Sequence, residues 1–251
     1  MEKIGLSGST LVVSVCISQI VFYAQSLYLH RCLAHRSVDL HPTVRLLFRL
    51  VIWLFFGSDP REWVATHRLH HRFADTDRDP HSPLIAGFWT VALRGSRLVK
   101  EACRDRAEVH RLTKDMPPDP LERMPFGRRY GGILLTFVVI VVAMGPLPAL
   151  WVYVLAVSQI LAGTAVVNGL GHLPGPEVSG HVGRNLPVFA PFTAGEALHA
   201  NHHAKPGGSK LGRNWREVDP GWWAIQVLAF LRLAKKKTAT KATEVAAGQT
   251  A

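Results

Sequence analysis

Apolar and charged positions divide this chain sharply before any motif is considered. Between Ile4 and Leu29 there is no Lys, Arg, Asp or Glu, and between Gly131 and Gly171 there is again none. A helix needs roughly 20 apolar residues to cross a bilayer at about 1.5 Å per residue. The first stretch supplies one span, about residues 9–29. The second is long enough for two, about 130–145 and 148–170, with Pro146 and Pro148 marking a turn between them. A cleavable leader fits the first stretch poorly, because a strongly basic start and a small-residue cleavage site are lacking and it runs directly into His30.

Val44 to Gly57 is also apolar, but it is short and carries Arg45 and Arg49 on one helical face. Placed across the bilayer, it would separate His30 and His35 from His67, His70 and His71. An interfacial amphipathic helix is expected there instead. Residues 31–129 form a polar insert, in which REWVATHRLHHRF reads as helix and DTDRDPHSP as turn. Residues 172–237 form a second polar part that ends in an amphipathic helix expected over Gly221–Lys237. The small, polar run 238–251 is expected to be a disordered tail. The expected fold is all-α: a single membrane domain over 1–237, with about three transmembrane helices, a cytoplasmic helical cap and interfacial amphipathic helices around a histidine-rich site.

The net charge of +11 raises the question of nucleic acid, and the placement of the charge answers it. Of the basic residues only Lys3 precedes the first span, so both polar parts belong on the cytoplasmic face by the positive-inside rule. No nucleic-acid motif accompanies them, and a basic juxtamembrane surface suits anionic lipid or acidic partners. Cys16, Cys32 and Cys103 have no CxxC spacing, which argues against a thiolate metal site or a disulfide framework.

Histidine is the chemistry-bearing residue. HRCLAH (His30, His35), HRLHH (His67, His70, His71), GLGH (His172) and HANHH (His199, His202, His203) gather nine of thirteen histidines. Residues three and four apart share a helical face, so each HxxHH run is expected to aim its three imidazoles into one sector. Imidazole nitrogen suits iron, copper, nickel and zinc, and a cluster this dense asks for more than one ion. The topology brings all four groups to one membrane face. His41, His81, His110 and His181 lack such spacing, and surface or hydrogen-bonded roles are expected for them. Cys32 reads as a small packing residue.

Taken together, these elements resemble the integral-membrane acyl-CoA and acyl-lipid desaturases over about residues 20–235. HRCLAHRS is similar to that family's HxxxxHR box, EWVATHRLHHRFADTDRDPHSP to its EWxxxHRxHHxxxDTxxDPH box, and NGLGH to its NxxxH element. GEALHANHHAKP with NWREVDPGWW is similar to the third box and its continuation. The resemblance implies two irons held by His30, His35, His67, His70, His71, His172, His199, His202 and His203, with Asn168 reaching one iron through water. It also implies dioxygen as co-substrate, reduced to water while hydrogen is removed from adjacent methylenes of an acyl-CoA, acyl-ACP or acyl lipid, most like the delta-nine acyl-CoA type. The protein's share is to hold the chain so that one carbon pair meets the oxidant. Electrons would come from a separate ferredoxin, rubredoxin or b-type cytochrome, since no donor domain is fused.

Asp75, Asp79 and Glu196 are candidates to orient ligating rings, with turn or cap roles as their alternative. Trp63 and Trp89 are candidates to line a substrate tunnel, with packing or interface anchoring as theirs. Glu196 and His199 form a lone ExxH pair, and a soluble carboxylate di-iron bundle would need two, with two further glutamates. Familiar members carry four spans, whereas this chain has room for one before the first box, giving three and placing its termini on opposite sides. The alternatives are an acyl hydroxylase or oxidative decarboxylase on the same iron site and, more distantly, a zinc-dependent or metal-binding membrane protein.

Overall fold

A computed structural model of the chain describes residues 5–119, 121, 130–174 and 183–237. The N-terminal uncharged stretch folds as α1 (Gly8–Tyr23) and continues without a break as a π-helix over Ala24–Ala34. Ser7 starts α1 with a reciprocal capping box: its Oγ accepts from Thr10 N, and Ser7 N donates to Thr10 Oγ1. The polar segment that follows contains β1 (Val38–Leu40), α2 (Pro42–Val51), α3 (Pro60–Phe73), α4 (Pro83–Ala86), α5 (Phe88–Ala102) and α6 (Arg106–Thr113). Next come α7 (Gly131–Met144) and α8 (Pro146–Thr164), the latter running on through a π-turn and a 3-10 turn to His172. Last are α9 (His199–Ala204), α10 (Pro220–Phe230) and β2 (Ala234–Lys236).

Two of these helices, Gly8–Ala34 and Pro146–His172, are long and apolar enough to cross a membrane. The third expected span, α7, is apolar but has only 14 residues. At about 1.5 Å per residue it is shorter than a hydrocarbon core of about 30 Å. The two long helices run parallel. Gly5 abuts Leu147 at one end, Ser18 Oγ donates to Gln159 Oε1 at 2.8 Å midway, and Gly163 lies under the Phe22 ring, where a Cβ has no room. Thr10, Ser14 and Ser18 form the small buried stripe of α1, while Val12 and Val15 face outward. Small residues inward and apolar residues outward are the arrangement of a membrane protein. α7 turns back at Gly145 and packs on α8, where Tyr153 Oη donates to Ile133 O. Its other side lies on the π-turn Ile52–Phe56 that follows α2: Thr136 Oγ1 donates to Leu54 O, and Gly132 abuts the Trp53 backbone.

The helix expected over Val44–Gly57 is present as α2 and this π-turn, closed by Gly57 in the left-handed region. Its arginine face is turned inward: Arg49 is buried and paired with Asp119 at 2.6 Å, while Leu46 and Leu47 point outward. Arg68 fastens α3 to the end of the first long helix, donating to Leu33 O, Ala34 O and Asp115. The interior of the polar part is a cluster including Leu27, Leu29, Leu33, Ile52, Val64 and Ile225.

The described residues are mostly helical, as expected, with one short ladder in which β1 and β2 pair antiparallel with Val38 opposite Lys236 and Leu40 opposite Ala234. One expectation needs correction: no single helix covers Gly221–Lys237. α10 ends at Phe230, Arg232 takes a left-handed conformation (φ 59°), and the lysines leave as a strand that buries Ala234 on β1. Apolar periodicity alone did not reveal that the far strand offered hydrogen-bond partners. His181, the later part of the polar insert and the expected tail over 238–251 lie outside the described residues.

Candidate metal centre

His30 and His35 are five residues apart, which on an α-helix would place them about 140° apart. The π-helix corrects this: His35 N donates to His30 O at 2.9 Å, so residues five apart lie one turn apart, and the two rings sit 4.7 Å centre to centre. On α3, which starts at Pro60 after the Asp59 cap, His67, His70 and His71 occupy the last two turns. On α9, His199, His202 and His203 do the same within a single short helix. His172 closes the other long helix.

The nine imidazoles sort into two groups, and within each group one donor nitrogen from every ring lies within 4.8 Å of the others. One group is His30, His35, His67, His71 and His202; the other is His70, His172, His199 and His203. Each HxxHH run turns its three imidazoles toward the common cluster, as its spacing predicts, but divides them between the two groups. α3 gives its i,i+4 pair to the first group and His70 to the second, while α9 gives its i,i+4 pair to the second and His202 to the first.

In the first group the Nε2 atoms of His35 and His67 are 2.8 Å apart, those of His71 and His202 2.8 Å, and those of His30 and His202 3.1 Å. In the second the separations are 2.7 Å for His172 and His199, 3.0 Å for His199 and His203, and 3.2 Å for His70 and His203. Ligands about 2.1 Å from one ion would be about 3 Å from each other at right angles.

Three carboxylates brace the far sides of the rings. Asp79 Oδ2 accepts from His70 Nδ1 at 2.8 Å, and Asp75 Oδ2 from His172 Nδ1 at 2.9 Å. Glu196 Oε2 lies 2.8 Å from His30 Nδ1, a close charge contact without good hydrogen-bond alignment. An ionised carboxylate only accepts, so His70 and His172 donate from Nδ1 and turn Nε2 toward the cluster. Bare lone pairs converging at such distances repel unless a cation lies among them, and so the donor set fits metal ions.

Burial first, then the neighbouring imidazoles, lowers the pKa of His35, His67, His70, His71, His199 and His202 well below the ordinary histidine value. The same causes bring His203 down to about 3. The neutral ring is the form that ligates. Burial alone would raise Asp75, yet the contacts with His172 and Ser82 hold it below the usual carboxylate range. Glu196 behaves likewise, held down by His30, Arg31 and the Ser26 hydroxyl.

Asn168 lies half-buried in the π-turn of the second long helix. Trp63 stacks on His67, with ring centres 5.0 Å apart, so it borders the cluster. Trp89 stands 72% exposed on α5. Sequence spacing gave no weight to His81, whose ring stacks on His70 at 4.4 Å, nor to Arg31. Arg31 is fully buried; its Nη2 donates to Asp219 Oδ1 at 2.9 Å and lies 3.8 Å from Glu196 Oε1. Gly195 and Gly221 leave it room, since a Cβ on Gly221 would strike the guanidinium and one on Gly195 the Asp219 carboxylate. His41 caps α2, and His110 is exposed.

Parallel apolar helices that end in a buried, carboxylate-braced cluster of imidazoles define a membrane protein with a histidine-rich site able to hold metal. The family model for fatty acid desaturases matches residues 8–226. Delta-9 acyl-lipid desaturase 1 of Arabidopsis thaliana is 32% identical over 82% of this chain and 67% of its own length. The acyl-CoA C20 Delta5-desaturase of Anemone leveillei is 33% identical over 84% of this chain and 68% of its own. The chloroplastic palmitoyl-monogalactosyldiacylglycerol delta-7 desaturase of Arabidopsis thaliana is 31% identical over 83% and 56%. The chain belongs to the fatty acid desaturase family.

Proposed function

We propose that this protein is an oxygen-dependent desaturase that introduces a double bond into the acyl chain of a thioester or lipid. The observation that carries the reading is the sorting of nine imidazoles into groups of five and four, with Nε2 atoms 2.7–3.2 Å apart in the measured pairs, in a chain of the desaturase family. Each group would hold one iron ion. Bound iron would supply the dioxygen-activating and hydrogen-removing chemistry, with electrons from an external ferredoxin, rubredoxin or b-type cytochrome.

The residues of the chain do the rest. His30, His35, His67, His71 and His202 offer ring nitrogens to one ion, and His70, His172, His199 and His203 to the other. Glu196, Asp79 and Asp75 keep the Nδ1 protons in place, which raises the basicity of Nε2 and fixes each ring plane. Their charge also offsets the cations in a buried site. Trp63 blocks one side of His67 and excludes water there. The second group has fewer imidazoles, and Asn168 precedes its His172 by one turn, which favours a water-mediated contact on that side. Alignment of the apolar spans with the cluster favours a substrate whose acyl chain approaches from the bilayer; on this reading the site faces the cytoplasm and α7 is a short third crossing, accommodated by local thinning of the bilayer or by its flanking residues.

The test is expression in a host lacking its own desaturase, followed by mass spectrometry of total lipids and acyl thioesters. New monounsaturated chains that vanish with His202→Ala support the reading. Added oxygen in place of a double bond would make the protein a hydroxylase on the same scaffold, and active protein with zinc and no iron would overturn it.

A further inference from the structure

The segment from Leu186 to Gly195 carries no charged residue, although it lies in the polar C-terminal part. Its side chains do not explain this by packing inward: Val188 is 77%, Phe189 41% and Phe192 63% exposed. A water-facing loop gains nothing from presenting three large apolar groups together. The loop lies against the first long helix. Gln19 Nε2, within the α-helical part of that span and well before His30, donates to Phe192 O at 3.2 Å. Further along the same helix, Ser26 Oγ and Arg31 Nη2 both donate to Ala194 O. The outward residues Val12, Val15 and Ile20 of α1 continue the exposed apolar surface.

The loop's backbone is also prepared for a place without water. Phe189 N donates to Leu186 O, Ala190 N to Pro187 O, Phe192 N to Phe189 O and Gly195 N to Ala190 O, at 2.8–3.2 Å. Thr193 Oγ1 donates to Phe189 O, and Pro187 and Pro191 have no N–H to satisfy. Irregular backbone is tolerated at membrane depth when its polar groups are bonded within the protein.

We propose that residues 187–193 form a re-entrant loop seated among the lipid acyl chains beside α1. Its partner is the hydrocarbon of the bilayer. The loop runs directly into Glu196 and His199, so lipid contact helps to seat the carboxylate that faces His30. The inference rests on the membrane reading of α1 and is independent of which reaction the metal centre performs.

The experiment uses the full chain with its metal in phosphatidylcholine and phosphatidylglycerol nanodiscs. Cys16 is changed to Ser, leaving Cys32 and Cys103, which are buried. A nitroxide is attached at Phe192→Cys and, separately, at Val188→Cys, so that one variant suffices if the other fails to fold. Val12→Cys serves as the lipid reference and Trp215→Cys, at an exposed position in the C-terminal part, as the water reference. Several-fold greater relaxation by oxygen than by a nickel chelate at the loop sites, matching Val12→Cys, supports the proposal. Nickel accessibility at the loop sites with oxygen accessibility at Val12→Cys overturns it, as does protection from both agents, which would mean a protein partner or a second copy covers the loop. Nickel accessibility at Val12→Cys overturns the span reading and the proposal with it.

Discussion

The two halves of the histidine cluster differ in how their rings are braced. The five-imidazole group has one carboxylate, Glu196, behind one of its rings, and that carboxylate leans on the buried Arg31–Asp219 pair. The four-imidazole group has two, Asp75 and Asp79, from one turn that holds itself together: Asp75 N donates to Asp79 Oδ2, His81 N to Asp79 Oδ1 and Ser82 Oγ to Asp75 Oδ1. Ring number and carboxylate number thus vary in opposite directions. The carboxylates behind the group poorer in imidazoles come from a single turn, Asp79 reaching the nearby His70 and Asp75 the distant His172, whereas the one behind the richer group leans on a separate buried ion pair.

The largest expected effects come from the proposed ligands. His71→Ala should remove the metal of the five-imidazole group and abolish desaturation, leaving about one iron per chain, while His203→Ala should do the same for the other group. Metal analysis of both variants checks this, and full occupancy in either would break the division. Next, Arg31→Met would leave Asp219 buried without its ion-pair partner, and removing one partner of such a pair costs about 3–5 kcal/mol. A matching fall in unfolding midpoint in detergent is expected, and an unchanged midpoint would remove Arg31 from the account.

Smaller effects separate the carboxylates. Asp79→Asn should weaken iron binding about 10–100-fold in the four-imidazole group alone, and Glu196→Gln should do so in the five-imidazole group alone. Competition with a chelator, read metal by metal, distinguishes them. The smallest effect concerns acid. Folding lowers the pKa of the buried imidazoles, so below about 6.5 the unfolded chain takes up protons that the folded rings refuse. Metal-free protein should therefore lose stability progressively as pH falls from about 6.5 toward the region of about 3 where His203 titrates. A urea midpoint that rises on going from neutral to mildly acidic buffer would contradict this.

The nine histidines were legible because their spacing is local, and so were the two long apolar helices. Asp75 and Glu196 were recognisable as candidates because they stand within four residues of clustered histidines, and Asp79 because it lies in the turn that follows them. What escaped were features decided by other parts of the chain or by backbone geometry. The HxxxxH spacing does not suit an α-helix, and only the π-helix makes His30 and His35 neighbours. The pairing of Arg31 with Asp219, that of Arg49 with Asp119 and the β1–β2 ladder each join segments far apart in sequence. The splitting of each HxxHH run needs two helices facing each other, which no single run reveals.

The most direct test of the central claim is anomalous diffraction at the iron edge from crystals of the iron-loaded protein. Two separate peaks per chain are expected, one among His30, His35, His67, His71 and His202 and the other among His70, His172, His199 and His203. A single peak shared by both groups, or peaks away from these rings, would contradict it.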